Sequence, residues 1–168
     1  MNKKQFAVVK ARLISEMENI ESLKEELRRK GWLENQRRAK TALAKADSFV
    51  LRGLASVFHD FYTAVEKIME IVAREIDEKM PAGNNWPRDL LRQMTLDVAS
   101  VRPCLFSAPT AEMLDEFRSF RHVFRNVYGF NLSAERLYNL LLRFPQTAER
   151  VEEEVKAFIC TMEKVFPQ

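Results

Sequence analysis

The stretch FRSFRHVFRNVYGF, residues 117–130, packs four phenylalanines, three arginines and a histidine into fourteen residues. Its apolar residues recur every three or four positions, the spacing of one side of a helix rather than the alternation of a strand. With about 100° per residue and Arg121 at zero, Met113, Phe117, Phe120, Val123, Phe124, Val127 and Phe130 fall on an arc from roughly 180° to 320°. Tyr128, Arg121, Arg125, Arg118, Gly129, His122 and Asn126 fall on the arc from roughly −20° to 140°. The spacing predicts a helix from about 110 to 129, anchored by a thick apolar side and carrying a strip of cations. No acidic residue occurs from 117 to 130. Solvated helix faces usually interleave opposite charges one turn apart, so this strip requires an anionic ligand or carboxylates brought from elsewhere. Glu152, Glu153 and Glu154 are the candidates for the second role.

The rest of the chain has the same period. Phe6, Val9, Leu13, Met17, Ile20 and Leu27 define a first helix over about 3–30, with Gly31 to stop it. A stripe from Ala39 through Leu43, Ala46, Phe49, Val50, Gly53, Leu54, Val57, Phe61 and Val65 to Ile68 predicts one long helix over about 36–79. MPAGNNWP (80–87) ends it, Pro87 opens a short helix through Met94, and VRPCLFSAP (101–109) is a connection. After Gly129, Ser133 caps a short helix through Leu141, and Pro145 starts a final one with Val151, Val155, Phe158, Ile159 and Met162 inward. The reading is an all-α, up-and-down helical bundle with two long antiparallel helices and shorter C-terminal helices. Residues 1–168 form one domain.

Composition narrows the function. The formal net charge of +3, from 27 basic and 24 acidic residues, is too even to announce a nucleic-acid partner without a local patch. Cys104 and Cys160 form neither a metal-ligand spacing nor a disulfide framework. No metal or other cofactor is expected. No apolar run is long enough to cross a bilayer, and the charged start MNKKQFAVVKARL lacks a signal-peptide core, so a cytoplasmic protein is expected. His59, in FHDFY, falls opposite the Val57–Phe61–Ile68 stripe with Arg52 and Glu66, which leaves two readings: a solvated surface, or a supporting position that faces the 110–129 helix. Clusters Arg28–Lys30 and Arg37–Lys40 suit helix ends and could equally widen an anion-binding surface.

FRHVFRNVYGF, together with the upstream FHDFYTAVEKI and NNWPRDLLRQM, resembles the HepT-like branch of the HEPN superfamily over roughly residues 40–145. These are small all-α ribonuclease toxins paired with minimal nucleotidyltransferase antitoxins. Their motif is an arginine, four residues, a histidine, one residue and a tyrosine. Arg121 takes the arginine position and Tyr128 the tyrosine position, while Asn126 stands where the histidine belongs. A second departure is Pro87, where relatives carry histidine after the tryptophan corresponding to Trp86. The resemblance implies a homodimer that cleaves RNA without a metal, the ribose 2′-hydroxyl attacking the adjacent phosphate. Arg121 would stabilise phosphorane charge, with Arg118 and Arg125 binding phosphate. Asparagine cannot take up a proton, so three readings stand: weakened or lost nuclease activity, relocation of the proton-transfer role to His122, or a deliberately inactivated sequence. The resemblance also implies that the antitoxin transfers AMP to Tyr128. The alternative is a non-catalytic HEPN protein that binds, or is AMP-modified by, its nucleotidyltransferase.

Overall fold

The computed structural model describes residues 1–126 and 132–165, with the side chain of Asn126 outside that description. Among the described residues six helices follow one another: α1 (Lys3–Arg29), α2 (Gln36–Ala44), α3 (Ser48–Glu75), α4 (Trp86–Gln93), α5 (Ala108–Asn126) and α6 (Ala134–Val165). Among the described residues there is no strand, only an isolated bridge between Val98 and Arg102. No helix among them is long and apolar enough to cross a membrane. The chain is an all-α bundle, as its periodicity predicts.

Local signals set the ends. At the start of α1, the Asn2 side chain accepts from the Gln5 amide at 3.0 Å and the Gln5 side chain accepts from the Asn2 amide at 2.7 Å, a reciprocal cap. At its end Gly31 adopts a φ of 66°, where an L side chain is strained. The Gly31 amide donates to the Arg28 carbonyl and the Trp32 amide to the Leu27 carbonyl, closing the helix in a Schellman motif. The inward set of α1 is Phe6, Val9, Leu13, Met17, Ile20 and Leu27, the same six residues that the spacing selects.

Two expectations are corrected. The long second helix is divided at Lys45–Asp47, where the Asp47 side chain accepts from the Val50 amide at 2.9 Å and starts α3 afresh. Phe49 and Val50, assigned to the apolar stripe, consequently stand exposed, Phe49 at 83%. The expected short C-terminal helices are one helix, α6, the longest of the six, with Pro145 inside it. Proline removes an amide from the helix ladder. Beside it, the buried Thr147 hydroxyl donates to the Arg143 carbonyl at 2.9 Å, supplying a local hydrogen bond where the ladder is weakened. Ser133 does cap α6, accepting from the Arg136 amide at 3.3 Å. The helix end expected at Gly129 lies outside the described residues.

The central element is α3, packed by α1, α4, α5 and α6. Where α3, α5 and α6 meet, phenylalanines interlock edge to face. Phe61 lies 5.1 Å from Phe117 and 5.0 Å from Phe144, both at 77°, and Phe58 lies 5.8 Å from Phe117. Such pairs add about 0.5–1.5 kcal/mol each beyond their area. A second anchor lies in the connections. Arg102, buried, bonds Asp77 through Nε at 2.5 Å and Nη2 at 2.8 Å, and donates to the carbonyls of Leu96, Pro103 and Gln93. Glu154 of α6 accepts from the Ser107 amide and from the hydroxyls of Ser107 and Thr110, so the first turn of α5 is capped by a distant carboxylate.

Removing the Phe117 ring should therefore cost about 3–5 kcal/mol in a Phe117→Ala variant. Phe49→Ala should stay within about 0.5 kcal/mol of the parent. Urea unfolding of the two variants checks the contrast. Arg102→Leu, which strands a buried Asp77 carboxylate, should lose about 3–5 kcal/mol in the same measurement.

Candidate functional site

The phenylalanine cluster fixes one side of α5 against α3 and α6, and this fixes where the opposite side points. Phe117 and Phe120 are buried, Phe124 is half-buried, and Val123, expected inward, is exposed. On the polar side, Arg118 and Arg121 are partly covered, while His122 and Arg125 are exposed. Tyr128 and Gly129 lie outside the described residues, as does the side chain of Asn126.

Arg121 is the best-held cation of the strip. Its Nη2 lies 2.9 Å from Glu66 Oε2, its Nη1 3.4 Å from Glu66 Oε1, and its Nε donates to the Thr63 hydroxyl at 3.1 Å. Three contacts to two side chains one turn apart on α3 fix both the position and the plane of the guanidinium, since a bidentate carboxylate pairing is geometrically selective. Thr63 is itself oriented, its hydroxyl donating to the His59 carbonyl at 2.8 Å. Arg118 pairs within α5, its Nε 2.6 Å from Asp115 Oδ1 and its Nη2 3.3 Å from the Ser119 hydroxyl.

The strip is thus compensated in part from within the chain. The carboxylates responsible are Glu66 and Asp115, and two of the expected Glu152–Glu154 group, Glu152 and Glu154, are engaged elsewhere. Glu152 bonds Lys24 at 3.0 Å and Glu154 caps α5. The Arg28–Arg29 cluster is likewise paired, with Glu25.

Glu66 departs from the face to which spacing assigns it, while Arg52 stays exposed as expected. Expected opposite the apolar stripe with His59, Glu66 is 4% exposed. Burial pushes its carboxyl above the ordinary carboxylate range, with Arg121, Arg125 and His59 pulling in the opposite direction. His59 is also drawn in: its ring centroid lies 5.5 Å from that of Phe124, and its Nδ1 lies 3.0 Å from Asp60 Oδ1. Next to this group Tyr62 is buried, and its hydroxyl has no hydrogen-bond partner among the described residues. Burial first, then Glu66, raises its phenol pKa, so it stays neutral at physiological pH. Helical spacing missed Thr63 and Glu66 as partners of Arg121, while the contact of His59 with Phe124 agrees with the reading in which it faces α5. The signal available was the missing counter-charge on residues 117–130, which required a carboxylate from another helix.

The direction of the Glu66 shift gives a pH dependence. Its unfolded carboxyl titrates near 4.5 and its folded carboxyl higher, so the folded state holds that proton more tightly. The resulting stabilisation is complete below pH 4.5 and is lost as pH rises through the folded value. Relative to Glu66→Gln, the parent should therefore lose stability progressively from pH 4.5 towards neutrality. Urea unfolding at stepped pH measures it, and parallel curves for the two proteins would contradict it.

Neither a curated protein nor a solved structure matches the chain. A family model described as HepT-like protein matches residues 53–162, from the first turns of α3 almost to the end of α6. That span contains Thr63, Glu66, Arg121 and position 126, and it covers well over half of the chain. The chain belongs to the HepT-like protein family.

Proposed function

We propose that this protein is the toxin component of a HEPN-type pair, a metal-independent RNA endonuclease that acts through attack of the ribose 2′-hydroxyl on the adjacent phosphate. The observation that carries the reading is the seating of Arg121. A guanidinium fixed in plane by Glu66 and Thr63, with the exposed Arg125 one turn away, is a preorganised donor for charge developing on phosphorus. Arg118 and Arg125 extend the contact along an RNA backbone. The homodimer implied by the family would bring two such strips to one groove in the cytoplasm. A minimal nucleotidyltransferase antitoxin would silence the protein by adding AMP to Tyr128, an anion placed beside the arginines.

Asn126 sets the level of activity. An amide in the histidine position removes a proton-transfer group that typically contributes a factor of about 10² to 10⁴. Asn126 also supports a second reading, a non-catalytic HEPN protein that serves as partner or AMP-modified substrate of the nucleotidyltransferase.

Cleavage and binding of single-stranded and transfer RNA in the presence of a chelator separate the two. Asn126→His is expected to raise cleavage by about 10² to 10⁴. Arg121→Ala in that background should lower it again by about 10² to 10³. RNA that is neither bound nor cut by the parent and by Asn126→His would overturn the nuclease reading. AMP transfer to Tyr128, read by mass spectrometry after incubation with ATP and the nucleotidyltransferase, tests the partner role.

A further inference from the structure

The proposed reaction requires a group that accepts the 2′-hydroxyl proton, and Asn126 cannot be that group. A candidate must sit near Arg121, carry an unprotonated nitrogen or oxygen, and be held in place. Glu66 is near but has both carboxylate oxygens engaged by Arg121. Tyr62 is buried as a neutral phenol. His122, to which the sequence could relocate the role, stands on the exposed side of α5, whereas His59 is partly covered in the seam between α3 and α5.

His59 meets all three conditions. It lies one helical turn before Thr63 on the same ridge of α3, and the two residues are joined by the bond from the Thr63 hydroxyl to the His59 carbonyl. Since Arg121 Nε donates to that same hydroxyl, the imidazole lies about one helical pitch, roughly 5 Å, along the ridge from the guanidinium's anchor. The ring is held on two sides, by Phe124 at 5.5 Å and by Asp60 at 3.0 Å from Nδ1. A carboxylate oxygen can only accept, so Nδ1 is the donor in this contact, and in the neutral tautomer with that arrangement Nε2 is the nitrogen that carries the lone pair. Arg121 reaches Thr63, and Phe124, three positions further along α5, reaches the His59 ring, so the guanidinium and the imidazole both border the seam between α3 and α5.

We infer that His59 is the proton acceptor for the reaction proposed above, with Asp60 as the residue that fixes its tautomer, and that the reacting phosphate lies in the α3–α5 seam. The proton of the 2′-hydroxyl passes to His59 Nε2 as the 2′-oxygen forms the new bond to phosphorus. The bond from phosphorus to the 5′-oxygen breaks, the 5′-oxygen takes a proton from water, and the imidazolium returns its proton to the hydroxide so formed. The products are a 2′,3′-cyclic phosphate and a 5′-hydroxyl.

This inference rests on the nuclease reading, and one set of measurements tests both. Cleavage of single-stranded RNA is compared for the parent, His59→Ala and Asn126→His, with RNA affinity and thermal unfolding measured on each. The expected result is metal-free cleavage by the parent that falls by about 10² or more in His59→Ala, with affinity and unfolding little changed, and partial recovery on adding free imidazole. A structural role would not respond to imidazole. Cleavage that survives His59→Ala, or a loss that imidazole does not relieve, would overturn the inference. A silent parent beside an active Asn126→His would also overturn it while leaving the nuclease reading intact. Absence of both binding and cleavage in parent and Asn126→His would remove the two together.

Discussion

Edge-to-face packing of Phe117 on Phe58 and of Phe61 on Phe117 and Phe144 is the constraint from which the arrangement of α3, α5 and α6 follows. Aromatic rings that meet edge to face tolerate little rotation of the helices carrying them, because the quadrupoles favour a narrow range of tilt. With Phe117 committed to this cluster, the neighbouring Arg118 and Arg121 are turned towards α3 at the margin of the core. Glu66 and Thr63 are then the only elements of α3 needed to complete the seat. The direction of the polar side of α5 is set by its apolar side.

The ends of α5 are secured by different chemistry. Its first turn is gripped by Glu154, through one backbone amide and two hydroxyls. The connections before it are gathered by Arg102, whose guanidinium meets Asp77 and three carbonyls. A buried ion pair is a weak net stabiliser once desolvation is counted, and its removal from one side is strongly destabilising. Here it converts a glycine- and proline-bearing connection into a fixed spacer, so α4 and the start of α5 keep a defined relation to the end of α3.

Helical period made much of this legible. The six inward residues of α1 follow from spacing alone because that helix has one buried face and one wet face. For α3 the same reasoning fails. Four helices cover it, so residues on both flanks of the stripe, among them Tyr62 and Glu66, are buried. A single-stripe reading assigns such flanks to water. The break before Asp47 was marked only by one capping residue inside a continuous apolar pattern. Pro145 misled in the opposite direction, since tertiary contacts of Phe144 and Ala148 outweigh the lost amide. The missing counter-charge on residues 117–130 was readable, and the identity of the carboxylates that supply it was not, because Glu66 lies 55 positions from Arg121 in the chain.

The pairing of Arg121 with Glu66 divides labour along α5. Seen from beyond a Debye length, about 8 Å at physiological ionic strength, a guanidinium joined to its own carboxylate is a dipole whose far field nearly vanishes. An approaching polyanion is therefore drawn by the exposed Arg125 and senses Arg121 only on touching it. In the function proposed above, capture at long range and discrimination at short range would then fall to two arginines one turn apart on the same helix.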